Sequence, residues 1–112
     1  MRWEMLGRRK KELYRARARI IKALAHPLRL EIVDLLAKGE RCVEDMARAV
    51  GSERSNVSRH LMVLASADLL NSRKSGLKIY YSLKCPCVLN FFSCIEQVLK
   101  EQLNEKVRLL RK

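Results

Sequence analysis

No apolar run in this sequence approaches the ~20 residues needed to cross a bilayer, and the amino terminus lacks the apolar core of a secretory signal. From both absences the expectation is a chain in a reducing cytosol with no membrane partner. Repeats, linkers rich in glycine or proline, and low-complexity tracts other than one basic arm are also missing. At 112 residues, the expectation is therefore a single domain. Histidine is scarce as well. Only His26 and His60 occur, and no nucleophile, base and orienting group can be assembled around them, which argues against an enzyme.

Acidic residues are outnumbered, 12 against 24 lysines and arginines, leaving a net charge of +12 and a polyanion as the favoured partner. More than half of that excess lies in residues 1–22, where nine basic side chains meet only Glu4 and Glu12. Nucleic acid leads the candidates. A small basic RNA-binding protein is the alternative that charge alone also permits.

Helical periodicity organises most of the chain. Leu13, Ile20, Ile21 and Leu24 mark a first helix from about Arg9 to Ala25 with a basic outer face. Pro27 then opens a second, in which Leu28, Ile32, Leu35 and Leu36 recur until Gly39. A short third helix, Val43 to Val50, carries Val43, Met46, Ala47 and Val50 on one face, and Gly51 ends it. Ser52 is the expected cap of a fourth helix running from Glu53 to about Ser66. Two short helices across a tight Val50-Gly51-Ser52 turn form a helix-turn-helix. Residues 69–73 and 78–83 read as strands around Lys74-Ser75-Gly76, a hairpin with basic flanks. Pro86 can open a last helix whose stripe of Val88, Phe92, Ile95, Leu99 and Leu103 exceeds what a small core needs, so cover from another subunit is expected.

On the fourth helix Val57, Leu61 and Leu64 face inward, while the polar residues gather at the amino-terminal half. Arg54, Ser55, Asn56, Ser58 and Arg59 are the candidate readers of a major groove, because Arg matches guanine edges, Asn matches adenine edges, and Ser serves either bases or phosphates. His60 beside Leu61 is assigned to the helix surface or a phosphate contact rather than to a metal. Arg73, Lys74 and Lys78 would place positive charge at the hairpin, where a wing can follow the backbone.

Four cysteines in a cytosolic chain are thiols, metal ligands or redox centres before they are a disulfide framework. Cys85, Cys87 and Cys94 supply the three sulfurs of a soft trigonal site, with trivalent arsenic or antimony the first choice and no obligatory cofactor. Seven helical residues separate Cys87 and Cys94 by about 10.5 Å. Closing the third bond would require unwinding of the first turn or a sulfur from across a dimer. Cys42 reads as a buried small hydrophobe.

Ala25-His26-Pro27-Leu28-Arg29, the segment Asn56-Val57-Ser58-Arg59-His60-Leu61 and the stretch Gly76 to Tyr81 together resemble the ArsR/SmtB family of winged-helix metalloregulators, over about Ala23 to Leu83. The resemblance implies a mainly α fold with a small β-hairpin (α+β), a winged helix-turn-helix homodimer joined through its first and last helices. Repression of an operator until an inducer binds is the implied activity. The domain would divide into a basic arm with the first helix (1–25), a DNA-binding core and wing (26–83), and a dimerisation helix with the cysteine cluster (84–112). Arsenic-sensing relatives commonly open the third helix with Cys-Val-Cys-Asp, whereas this chain has Cys42-Val43-Glu44-Asp45. Other relatives resemble it in carrying a cysteine triad on the last helix, and some oxidise paired cysteines, so a redox or persulfide sensor is the alternative.

Overall fold

Alternation of helix-forming runs with a single hairpin gives the order α1 (Lys10–Leu24), α2 (Pro27–Ala37), β1 (Arg41–Cys42), α3 (Val43–Val50), α4 (Arg54–Ser66), β2 (Leu70–Ser75), β3 (Lys78–Leu83) and α5 (Val88–Leu110) in the computed structural model, which describes residues 9–111. The part of the basic arm carrying Arg2 and Arg8 lies outside the described residues. A mostly helical winged helix-turn-helix with one small antiparallel sheet is the result.

One apolar cluster binds these elements. Ile32, Val33 and Leu36 of α2 meet Met46 and Ala47 of α3, Val57, Leu61 and Leu64 of α4, Leu24 of α1, and Leu69 and Leu70 leading into β2. The inward face expected of α4 is fully buried, with Val57 and Leu64 at 0% exposure. Cys42 is buried too. Removing so much apolar surface from water is the dominant favourable term for a core of this size.

Helix ends follow local chemistry. Pro27 occupies the first turn of α2, and the His26 ring accepts the Leu28 N–H at 3.1 Å through Nδ1, satisfying one amide the helix leaves open. Gly51 ends α3 at φ +68°, a left-handed conformation that its missing Cβ makes inexpensive. Ser52, by contrast, does not cap α4. Its N–H turns back to the Ala47 carbonyl (3.1 Å), so the serine is consumed in closing α3, and Glu53 takes the extended cap position without a side-chain cap bond.

The sheet departs from expectation at two points. A third strand, β1, pairs with β3 through Arg41↔Tyr81 and Cys42↔Tyr80, giving the order β1-β3-β2. Two residues are too few to leave a period in the sequence. The hairpin turn is Gly76-Leu77 and not Lys74-Ser75-Gly76, because Ser75 pairs with Lys78 and Gly76 takes φ +63° at the first turn position. A glycine there suits a two-residue turn whose twist matches its strands.

The last helix starts two residues beyond Pro86. Val88, Leu89 and Asn90 donate to the carbonyls of Cys85, Pro86 and Cys87, a tight turn of i→i+3 bonds that precedes the regular ladder. Val88, Leu89 and Phe92 lean on the common core, but none of the 23 residues of α5 is buried. The radius of gyration, 17.6 Å, exceeds the ~13 Å of a compact chain of about 100 residues.

Candidate DNA-binding face and cysteine cluster

The tight α3–α4 turn presents the amino-terminal half of α4 as a rank of polar side chains tied to one another. Asn56 donates from Nδ2 to the Ser52 hydroxyl at 2.9 Å and accepts from Arg59 Nη2 on Oδ1 at 3.0 Å. Arg54 forms an ion pair with Glu44 of α3 at 2.8 Å, although its side chain stays 69% exposed. Ser55 and Arg59 are exposed, and Ser58 is half-buried. Thus Arg54, Ser55, Asn56, Ser58 and Arg59 gather on one accessible end of the helix. Their guanidinium, amide and hydroxyl groups are the types that address phosphates and base edges.

Glu44 and Asp45 sit in the first turn of α3, where negative charge is favoured. Glu44 is held below its ordinary carboxylate range first by its own backbone N–H, then by the Cys42 thiol and the charges of Arg54 and Lys78. The Cys42 thiol also leads the causes that hold Asp45 low, ahead of Arg48, which approaches Asp45 at 2.7 Å. Both acids stay charged near neutrality.

His60 is placed differently from its neighbours on α4. Its ring centroid lies 4.3 Å from that of His26, and Arg29 Nη1 approaches its Nδ1 at 3.4 Å. Burial, followed by interaction with His26 and the charges of Arg29 and Arg59, pushes its pKa down, so the ring is kept neutral. Arg29 also donates to the Lys22 carbonyl at 3.3 Å, while its buried Nε has no partner. The sequence pointed to no contact of His26 or Arg29 with His60. The His-Pro step was the available signal for His26, since a side-chain acceptor directly before a first-turn proline fits a helix start.

On the hairpin, Lys74 and Lys78 are exposed beside the Gly76-Leu77 turn. Arg73 is engaged. It grips Glu40 with Nε at 2.8 and 3.0 Å and with Nη2 at 2.6 Å, and its Cζ lies 4.8 Å over the Tyr80 ring. Nothing local in the sequence announces a pair 33 residues apart.

The cysteines divide into three settings. Cys85 and Cys87 are joined by a disulfide, with Cα atoms 5.3 Å apart, just before α5. Together with Ile20 and Ile21 of α1 and Phe91 of α5 they line an apolar cavity of about 380 Å³. Cys94 is free and exposed on α5, and Cys42 is free and buried at the start of α3. Among the described residues no group of three or more His, Cys, Asp or Glu side chains is poised to hold a metal ion.

Residues 26–72 match the family described as "Bacterial regulatory protein, arsR family". The arsenical resistance operon repressor of Staphylococcus xylosus is 37% identical over 70 residues, covering 62% of this chain and 67% of that protein. The chain belongs to the ArsR family. An ArsR-family assignment makes it kin to DNA-binding transcription regulators and not to enzymes. The solution structure of the homodimeric winged helix-turn-helix DNA-binding domain Mb0332 of Mycobacterium bovis is similar at 39% identity and a TM-score of 0.75, over 87% of this chain and 90% of that one. The regulator Rv0324 of Mycobacterium tuberculosis is 41% identical over 77% of this chain, which spans 38% of that relative's length. The ArsR match runs from α2 into β2, so it contains the helix-turn-helix and stops short of all three carboxy-terminal cysteines.

Proposed function

We propose that the chain is a homodimeric repressor that holds an operator through two copies of α4 and releases it when a thiophilic inducer, trivalent arsenic or antimony, is bound by the thiolates of reduced Cys85, Cys87 and Cys94. Arg54, Ser55, Asn56, Ser58 and Arg59 would address the major groove, His60 would back that helix, and the wing would reach phosphates through Lys74 and Lys78. The observation that carries the DNA reading is the Ser52–Asn56–Arg59 chain of hydrogen bonds, which aims the Arg59 guanidinium from the accessible end of a short helix. A pair of such helices must sit ~34–36 Å apart to enter successive turns of one groove.

Support for the inducer reading comes from position. Cys85 and Cys87 adjoin each other at the entry to α5, so closing a ligand between them and Cys94 would remodel the first turn of the helix expected to join the subunits. Coupling of ~1–3 kcal/mol would change operator affinity ~5–150-fold. The similarity to an arsenical resistance repressor favours the same ion class. A second reading rests on the placing of Cys85 and Cys87 close enough to bridge: two such thiols would suit a redox or persulfide sensor.

Titration of the reduced protein on its upstream duplex with arsenite, antimonite, cadmium, zinc and an organic persulfide separates the readings. Release by arsenite or antimonite at the lowest concentration, lost in the triple Cys85→Ser, Cys87→Ser, Cys94→Ser variant, is the expected result. Equal release of wild type and triple variant would refute it.

A further inference from the structure

Arg73 is the one basic residue of the hairpin that is committed to an acid. Glu40 precedes β1, Arg73 lies on β2, and the sheet order β1-β3-β2 puts β3 between them. The Arg73 side chain therefore crosses the middle strand. It lies over Tyr80, its directly paired neighbour on β3, and closes a two-oxygen grip on the Glu40 carboxylate. That grip joins the outer strand of the hairpin to the loop that follows α2, a second attachment beside the two residue pairs of β1 with β3. The bond to Arg73 is the leading cause that draws Glu40 below its ordinary range, and the same bond holds Arg73 up, so the pair stays charged at any pH where DNA binding is measured.

We infer that Glu40 and Arg73 are positioning residues that set the angle of the wing, and that Arg73 does not supply a phosphate contact. The inference rests on the DNA-binding reading above and deepens it. It also gives an acid a favourable role in gripping a polyanion. Removing Glu40 negative charge from a DNA-facing surface should raise affinity if charge alone matters. If the acid holds the wing, its removal should weaken binding instead. Lysine cannot form the planar two-bond fork, so Arg73→Lys should behave like Arg73→Gln.

The test is fluorescence anisotropy of the full chain on a labelled duplex that the wild type selects from a random pool, at salt from about 50 to 200 mM. Glu40→Gln, Arg73→Gln and Arg73→Lys are each expected to weaken binding about two- to fivefold, the scale of an exposed ion pair. The double variant should be no weaker than either single glutamine variant. The slope of log affinity against log salt should stay at its wild-type value in all of them, whereas Lys74→Ala should lower it by about 0.9 per subunit. Binding by Glu40→Gln that is unchanged or tighter, or a slope that falls in Arg73→Gln while Arg73→Lys keeps full affinity, overturns the assignment. A wild type that selects no duplex at all refutes the DNA-binding reading, a separate outcome.

Discussion

The head formed by α2, α3, α4 and the hairpin buries one apolar core to completion and leaves only residues such as Met62 and Leu77 outside it, whereas α5 buries none of its 23. The contrast shows which surfaces a single chain satisfies alone. Ile32, Val33, Met46, Val57 and Leu64 are each at 0% exposure, while Leu99 and Leu103 are more than half exposed although they lie on one apolar stripe. Nothing about their chemistry differs. The head has partners inside the chain, whereas the helix stripe is left uncovered, as the proposed symmetric dimer requires.

Substitutions at the two ends of this contrast should separate by mechanism. Leu61→Ala opens a cavity in a position 1% exposed and should cost about 2–5 kcal/mol in chemical denaturation, independent of protein concentration. Paired Leu99→Glu and Leu103→Glu should leave the head's helical circular dichroism in place and convert dimer to monomer in sedimentation. An unchanged sedimentation coefficient would mean that α5 is not the joint. Arg59→Ala, which removes the aimed guanidinium while leaving the fold intact, should weaken operator binding by about 1–3 kcal/mol and relax preference at one base position.

The smallest effect concerns acid. His60 has a folded-state pKa below its ordinary 6.5, so the unfolded chain takes up a proton that the folded chain refuses. Stability is accordingly unaffected above about pH 6.5 and falls as pH drops through the depressed folded value. Glu40, Glu44 and Asp45 have lowered values as well, and their contributions are lost only at lower pH, below their ordinary 4.5, 4.5 and 3.8. His60→Gln should flatten the loss of unfolding midpoint that begins below about pH 6.5 without altering the steeper loss where the carboxylates titrate. An identical pH profile in variant and wild type would remove His60 as the cause.

Much of the head was legible because its helices repeat apolar residues at helical spacing and are punctuated by Pro27 and Gly51, whose backbone limits are intrinsic. The end of α3 follows from that punctuation alone. Ser52 misled, since a serine after a helix-ending glycine can close one helix or open the next, and the choice depends on where its N–H finds a carbonyl. The start of the hairpin turn moved from Lys74 to Gly76 for a similar reason: basic residues marked the flanks, but only strand pairing locates the reversal. Glu40 with Arg73, Glu44 with Arg54, and His26 with His60 were invisible, being side-chain meetings between elements distant in sequence. The cysteines were conspicuous as a cluster. Their division into a bridged pair, an exposed thiol and a buried one depends on the turn before α5 and on the core around Cys42.

Sedimentation equilibrium of the reduced full chain, alone and on its upstream duplex, addresses the central claim most directly. The account expects a species of twice the 13.0 kDa of one chain in solution, and two chains on each selected duplex with much weaker hold on a random one. A 13.0 kDa species that binds both duplexes equally would contradict it.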